Sequence, residues 1–173
     1  MRARHPIPTR WLMTDERMGD GLWDAVRRLP RGSGVVFRHY ATDLATRRAM
    51  FARLARIARR RGLVLVRAGD ARLGRQEDGV HGTRGRGLRT APAHDSREAM
   101  NAKRAGAQMI FVSPVFATRS HAGARALGPL RAAAIGRGLG MARIALGGMD
   151  ARRFRRLRGL GFDGWAAIDA WLR

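Results

Sequence analysis

The sequence predicts an α/β protein, a single compact (β/α)8 TIM barrel with shortened or missing helices around strands 3–5. Three observations predict it. Eight short apolar runs lie between Trp11 and Ile168, amphipathic stretches or glycine-bearing loops separate them, and nearly all the runs are apolar at consecutive positions. Uninterrupted apolar runs suit strands covered on both faces, and their alternation with helices suits a parallel sheet. Eight such strands argue for closure; an open sheet of the flavodoxin kind is the alternative. At 173 residues the chain is shorter than the ~250 typical of such barrels, so part of the outer helical ring has to be reduced.

Trp11-Leu12-Met13-Thr14 reads as the first strand, and Asp20 precedes a helical stripe of Leu22, Trp23, Val26 and Leu29 that Pro30 and Gly32 close. Gly34 to Arg38 is the second strand. In the helix after it, Met50, Leu54, Ile57 and Ala58 share a face, Arg47, Arg48, Arg53, Arg56, Arg59 and Arg60 fall largely outside it, and Gly62 supplies the left-handed end. Leu63 to Val66 is the third strand, Gly79 to Gly82 a short fourth and Leu88 to His94 a fifth. A shortened third helix and an absent fourth account for the deficit in length.

Asp95 and Glu98 form a capping-box pair ahead of a helix with an alanine face, Ala99, Ala102 and Ala105, which Gly106 ends. Met109 to Ser113 is the sixth strand, followed by a long polar loop from Pro114 to Gly128, and Pro129 suits a helical first turn. Arg143 to Gly148 is the seventh strand. Asp150 caps a helix carrying Phe154 and Leu157, and Gly164 to Ile168 is the eighth strand. Residues 1–173 form one domain on this reading, with 1–10 as a loose N-terminal arm.

Composition narrows the function. No window holds the ~20 uninterrupted apolar residues of a membrane span, and no apolar segment follows the basic N-terminus, which together predict a cytoplasmic protein. The absence of cysteine excludes disulfides, thiolate metal sites and a cysteine nucleophile. A formal charge of +22 suggests an anionic partner, yet of the 35 basic residues only Lys103 is a lysine, and the excess is spread along the whole chain. Aromatic residues make up 6% and Tyr40 is the only tyrosine, too few for a base-stacking platform, so no specific nucleic acid is expected. The oligomeric state is left open.

In a barrel of this kind chemistry belongs at the C-terminal ends of the strands. There the sequence places Arg38 after strand two, Asp70 after three, His81 on four, His94 after five, Thr118, Ser120 and His121 in the loop after six, and Gly147-Gly148 at the end of seven. A Gly-Gly pair offers backbone N–H groups with no Cβ in the way, which suits a phosphate oxygen, and Arg38 suits a bidentate contact to phosphate or pyrophosphate. Asp70 reads equally as a Mg²⁺ ligand or a local cap. His81, His94 and His121 are candidate acid–base groups, with His94 preferred. The expected ligand is a phosphorylated small molecule.

Between Trp11 and Trp171 the chain resembles the thiamine-phosphate synthase family, including its TenI-like thiazole tautomerase branch. The resemblance is carried by Val36-Phe37-Arg38, Gly79-Val80-His81, Ala93-His94 with the alanine-rich helix to Ala107, Phe111 to Thr118, Ile144 to Met149 and Gly161-Phe162-Asp163-Gly164. It implies the same barrel and a place in thiamine biosynthesis. The synthase branch implies a transferase that couples a pyrimidine pyrophosphate to a thiazole phosphate and releases pyrophosphate. Arg38 would then hold pyrophosphate, Asp70 would ligate Mg²⁺, Thr118 and Ser120 would bind phosphate, and Gly147-Gly148 would cradle the thiazole phosphate. Val36 and Tyr40 stand where synthases usually carry Gln and Lys, Gly69 replaces an Asn, no Asp follows His81 within Thr83 to Arg86, Pro92 replaces a Ser, and His121 replaces a loop Lys. The tautomerase branch implies no metal cofactor and a proton-shuttling histidine in the segment of His94. Binding of a phosphorylated thiamine precursor without turnover is the third expectation.

Overall fold

The computed structural model describes residues 7–118 and 125–172. Its eight strands are β1 (Arg10–Met13), β2 (Gly34–Phe37), β3 (Val64–Ala68), β4 (Gly79–His81), β5 (Leu88–Ala93), β6 (Met109–Val112), β7 (Ala142–Ala145) and β8 (Gly164–Ala167). All pair in parallel in chain order, and β8 closes on β1 through Arg10 against Trp165 and Trp11 against Ala166. The closed barrel predicted from the apolar runs is the observed fold; the open sheet is not.

Register decides which residues face inward, because Cα partners in neighbouring strands share a face. Trp11 pairs with Gly34, Gly34 with Val64, Val66 with Gly79, Gly79 with Leu88, Met109 with Ala142 and Ile144 with Gly164. Large and small residues therefore meet within the barrel. The indole of Trp11 meets the Phe111 ring edge-on at 5.4 Å, and it fits because Gly34 has no side chain: a Cβ there would stand 2.2 Å from the Trp11 ring. The opposite strand faces, with Ile110, Val112, Ala145, Trp165 and Ala167, pack into a second buried cluster with residues of the outer helices.

Those helices are α1 (Gly21–Arg28), α2 (Leu44–Arg61), α3 (Ser96–Arg104), α4 (Pro129–Ala134) and α5 (Ala151–Arg156). Asp43, Asp95 and Asp150 cap α2, α3 and α5 by accepting from the backbone N–H three residues on, and Gly62 ends α2 in the left-handed region as its sequence predicts. Neither β3 nor β4 is followed by a helix, so the third helix is missing rather than shortened. Loops take over the covering. Leu73 is buried, Glu77 pairs with the outward Arg67 at 2.6 Å, Asp78 accepts from Leu65 N–H at 2.9 Å, and Gly85 lies directly against Val80.

Three local expectations are corrected. Arg47 is not on the solvent face of α2: it is buried, donates to the carbonyls of Ala68 and Arg38 at 2.6 and 2.9 Å, and leaves Phe51 to fill the core beside Leu54. Ala105 is exposed, so Ala99 and Ala102 alone form the buried face of α3. The N-terminal arm does not extend to residue 10, because Arg10 begins β1, the Thr9 carbonyl accepts from Trp165 N–H, and the Pro8 carbonyl accepts from the Trp11 indole. Among the described residues no helix is long and apolar enough to cross a membrane.

Candidate active site

The C-terminal ends of the strands surround a cavity of about 140 Å³ lined by Arg38, His94, Ser113, Pro114, Thr118, Leu146, Gly147, Gly148, Met149 and the segment from Ala167 to Ala170. Arg38, His94, Thr118 and the Gly147-Gly148 turn, far apart in the chain, thus share one cavity. Asp70 and His81 are not among its walls, and Ser120 and His121 lie outside the described residues.

Arg38 follows β2 and is fixed through β1. Its backbone N–H donates to the Thr14 hydroxyl at 3.0 Å, its Nε to the Thr14 carbonyl at 2.8 Å, and an Nη reaches Asp15 at 3.4 Å. Burial lowers its pKa below the ordinary arginine value, with the Asp15 carboxylate acting against that shift. Burial disfavours the Asp15 carboxylate in turn, but hydrogen bonds from Arg17 and the charges of Arg17 and Arg38 hold it below the usual carboxylate value. Behind Arg38 the chain turns through His39, a non-glycine residue at φ 29°, whose ring hydrogen-bonds the Thr14 hydroxyl at 3.0 Å and stacks on Phe37 at 4.7 Å. Thr14, Asp15, His39 and Arg47 together immobilise the arginine, and sequence reasoning gave none of them a role. Their signal was available only as polar residues next to strand ends.

His94 leaves β5 at the head of α3. The capping box forms with a shift: Asp95 accepts from Glu98 N–H at 2.7 Å, whereas the Glu98 carboxylate takes the His94 N–H and the His94 Nδ1, both at 2.8 Å, instead of the Asp95 N–H. A carboxylate on Nδ1 fixes the neutral ring with its proton there and leaves Nε2 as the basic nitrogen. The imidazole is half exposed, at 54% of its side-chain surface, and so is open to a ligand.

Gly147 and Gly148 have φ of 94° and 59°, backbone that favours glycine. The loop after β6 lies against them: a Cβ on Gly147 would stand 2.8 Å from Pro114 Cα and one on Gly148 2.5 Å from the Ala117 carbonyl. The Leu146 carbonyl accepts from Val115 N–H at 2.8 Å, and Arg153 donates to the Gly148 carbonyl. The turn is therefore rigid, with Thr118 on the same cavity.

Asp70 is exposed, and its carboxylate accepts from the Thr83 hydroxyl. Among the described residues no three His, Asp or Glu side chains cluster as a metal site. His81 points into the barrel beneath the mouth, bonded to Thr90 at 2.9 Å and set edge-on to Phe111 at 5.3 Å; burial, aided by the charge of Arg38, pushes it down to about 4, so it is neutral near pH 7. Glu98 and Asp169 are site residues that the sequence reading did not select. Glu98 was read only as a cap, while Asp169 follows the eighth apolar run just as Arg38 follows the second.

The family model described as thiamine monophosphate synthase matches residues 90–171, from β5 to the end of the last turn and a little under half of the chain. No curated protein matches the sequence. Among solved structures, a thiamine phosphate pyrophosphorylase from Pyrococcus furiosus superposes with a TM-score of 0.78 at 18% identity, over 98% of this chain and 89% of that one. An HpcH/HpaI aldolase from Desulfitobacterium hafniense gives 0.56 at 10% identity over 93% and 86%, and the YdjI aldolase from Escherichia coli K12 gives 0.57 at 10% over 94% and 75%. At these identities the structural likenesses speak to the barrel alone.

Proposed function

We propose that this chain, which resembles the thiamine-phosphate synthase and TenI-like family through residues 90–171, binds a phosphorylated heterocycle at the barrel mouth and isomerises it by moving a proton with His94. The observation that carries this reading is His94, bonded through Nδ1 to Glu98, on the same cavity as Arg38, Thr118 and Gly147-Gly148. The Gly-Gly turn and Thr118 would take the phosphate oxygens and Arg38 would balance their charge. With the phosphate anchored, Nε2 of His94 would accept a proton from one ring position and return it to another, and the Glu98 carboxylate would stabilise the imidazolium formed between the two steps. The proton count is unchanged and no co-reactant is required.

The synthase-like transferase is the second reading, favoured by the description of the matching family model and by Arg38 at the cavity, where it could hold pyrophosphate. That chemistry calls for Mg²⁺, which is bound by one or two carboxylates together with phosphate oxygens. Asp70, the residue expected to supply a carboxylate, is turned to Thr83 and is not a wall of the cavity, so it does not fit that role and no step is routed through a metal.

Incubation with the phosphorylated thiazole precursor, alone and with the pyrimidine pyrophosphate, separates the readings. The isomerase reading predicts aromatisation that survives chelator and falls by about 10²–10⁴ in His94→Ala. Pyrophosphate release that depends on Mg²⁺ and on Asp70 would establish the transferase instead, and binding with neither reaction would leave a binder without turnover.

A further inference from the structure

Positive charge is spread along the whole chain, but the acids that could oppose it are not. Between Asp43 and Asp70 stand eight arginines and no acidic residue, and α2 occupies most of that stretch. Phe51, Leu54, Ala55 and Ala58 of α2 are buried in the core. The opposite face carries Arg48, Arg53, Arg56, Arg59 and Arg60, all exposed, within about 140° of arc at 3.6 residues per turn, with Ala45, Ala49 and Ala52 between them. The ion pairs among the described residues join Arg17, Arg27, Arg38, Arg67 and His94 to carboxylates, none of them on this face. Like charges three and four residues apart, Arg53 with Arg56 and Arg56 with Arg59 and Arg60, therefore repel one another unopposed. The negative end of the helix dipole accounts for cations at Arg59 and Arg60 but not at Arg48, Arg53 and Arg56, which precede the last turn. The positive surface continues into the loop after α1: a Cβ on Gly62 would stand 3.5 Å from the Arg31 guanidinium, and Arg61 donates to the Leu29 carbonyl at 2.9 Å.

We infer that the exposed face of α2 is a docking surface for the phosphate backbone of a double-helical nucleic acid, bound without regard to base sequence. The planar fork of arginine donors matches phosphate, and the short alanines between the arginines let a rod lie close along the helix. The helix is about 27 Å long, a length over which a duplex presents about 16 phosphates. A single inorganic phosphate meets one screened guanidinium there and gains little, whereas a polyanion engages several together and releases its counterions. A membrane surface fits less well, because a helix lying in it needs a free apolar face and that of α2 is buried in the barrel. Among the described residues Leu44 is the one exposed large apolar side chain on α2, and it lies at the end far from Arg60. A single strand also fits less well, since its bases need aromatic platforms and the Trp23 ring beside this face is covered by the Arg53 guanidinium at 3.9 Å. Because α2 runs from the end of β2 back toward the start of β3, Arg56, Arg59 and Arg60 lie away from the mouth, and the inference stands independently of the preceding reading.

Fluorescence anisotropy of a labelled, mixed-sequence DNA duplex of about 20 base pairs, titrated with the full chain at salt from about 50 to about 300 mM, tests it. Log affinity should fall against log salt with a slope of about −4 to −5, from five phosphates at about −0.9 each. Replacing three arginines together, Arg56→Gln, Arg59→Gln and Arg60→Gln, should flatten that slope by about 3 and weaken binding at about 100 mM salt on the order of a hundredfold. Glutamine is a good helix former, and the matching lysine triple, which keeps the charge, should retain the steep slope. If the glutamine triple does not fold, Arg56→Gln alone should flatten the slope by about 1. A charge-matched triple on α5, Arg152→Gln, Arg155→Gln and Arg156→Gln, all exposed, is the control and should change the slope by less than about 1. Equal flattening by both triples would show net charge acting without a defined surface and would overturn the inference. So would undetectable binding at about 50 mM salt, tighter binding of one strand of the same DNA, or tighter binding of phosphatidylserine-rich vesicles. None of these outcomes bears on proton transfer at His94, which the thiazole assay reads separately.

Discussion

His81 and His94 look alike in the sequence, each closing a strand on the way to the mouth, but the structure gives them opposite environments. Pairing of Ala68 with His81 and of His81 with Thr90 turns the first into the barrel, whereas His94 lies one residue past β5 and bonds to the first turn of α3. The difference is one of register, which no local pattern in a three-residue strand could disclose. Its consequence is a pH dependence of stability. Because burial lowers the folded-state pKa of His81 to about 4 from an ordinary 6.5, the unfolded chain takes up that proton first. The contribution of neutral His81 is complete above about pH 6.5 and is lost as pH falls toward 4, by about 3 kcal/mol in total. The His81 imidazole should titrate near 4 by NMR, and His81→Gln should flatten the pH 4–6.5 slope of urea-unfolding stability; a midpoint near 6.5 would contradict its burial.

At the scale of elements, strands and caps were legible because their signals are local. Apolar runs marked all eight strands to within three residues, and aspartates at 95 and 150 marked the starts of α3 and α5. Arg47 was misread because helical periodicity separates apolar from polar residues, and a buried guanidinium satisfied by carbonyls of the strand ends breaks that rule. The missing helices after β3 and β4 were legible only in part: chain length set a limit, but the way Leu73 and Gly85 press the loops onto the sheet depends on contacts between elements. Gly34 offers a direct check on the barrel interior. Gly34→Ala would drive a methyl group into the fully buried Trp11 ring, so the variant should lose about 1–3 kcal/mol of unfolding free energy. A neutral result would mean that Trp11 does not fill the space opposite Gly34.

For the whole molecule, closure does what no single segment does: it brings residues from β2, β5, the loop after β6 and the end of β7 to one cavity. The convergence of Arg38, His94, Thr118 and Gly147-Gly148 could be anticipated, since in a parallel barrel every strand ends at the same mouth. The partners that fix those groups could not, because Glu98 on His94 and Thr14 and Asp15 on Arg38 are set by tertiary geometry. The same molecule carries a large positive charge over its outer surface, which offers anions a rival place to bind. Amide chemical-shift mapping during a titration with inorganic phosphate near physiological salt separates the two most directly. The account predicts one saturable set of shifts confined to Arg38, Thr118, Gly147, Gly148 and their immediate neighbours, and shifts spread over the arginine-rich faces of α2 and α5 with none at the glycine turn would contradict it.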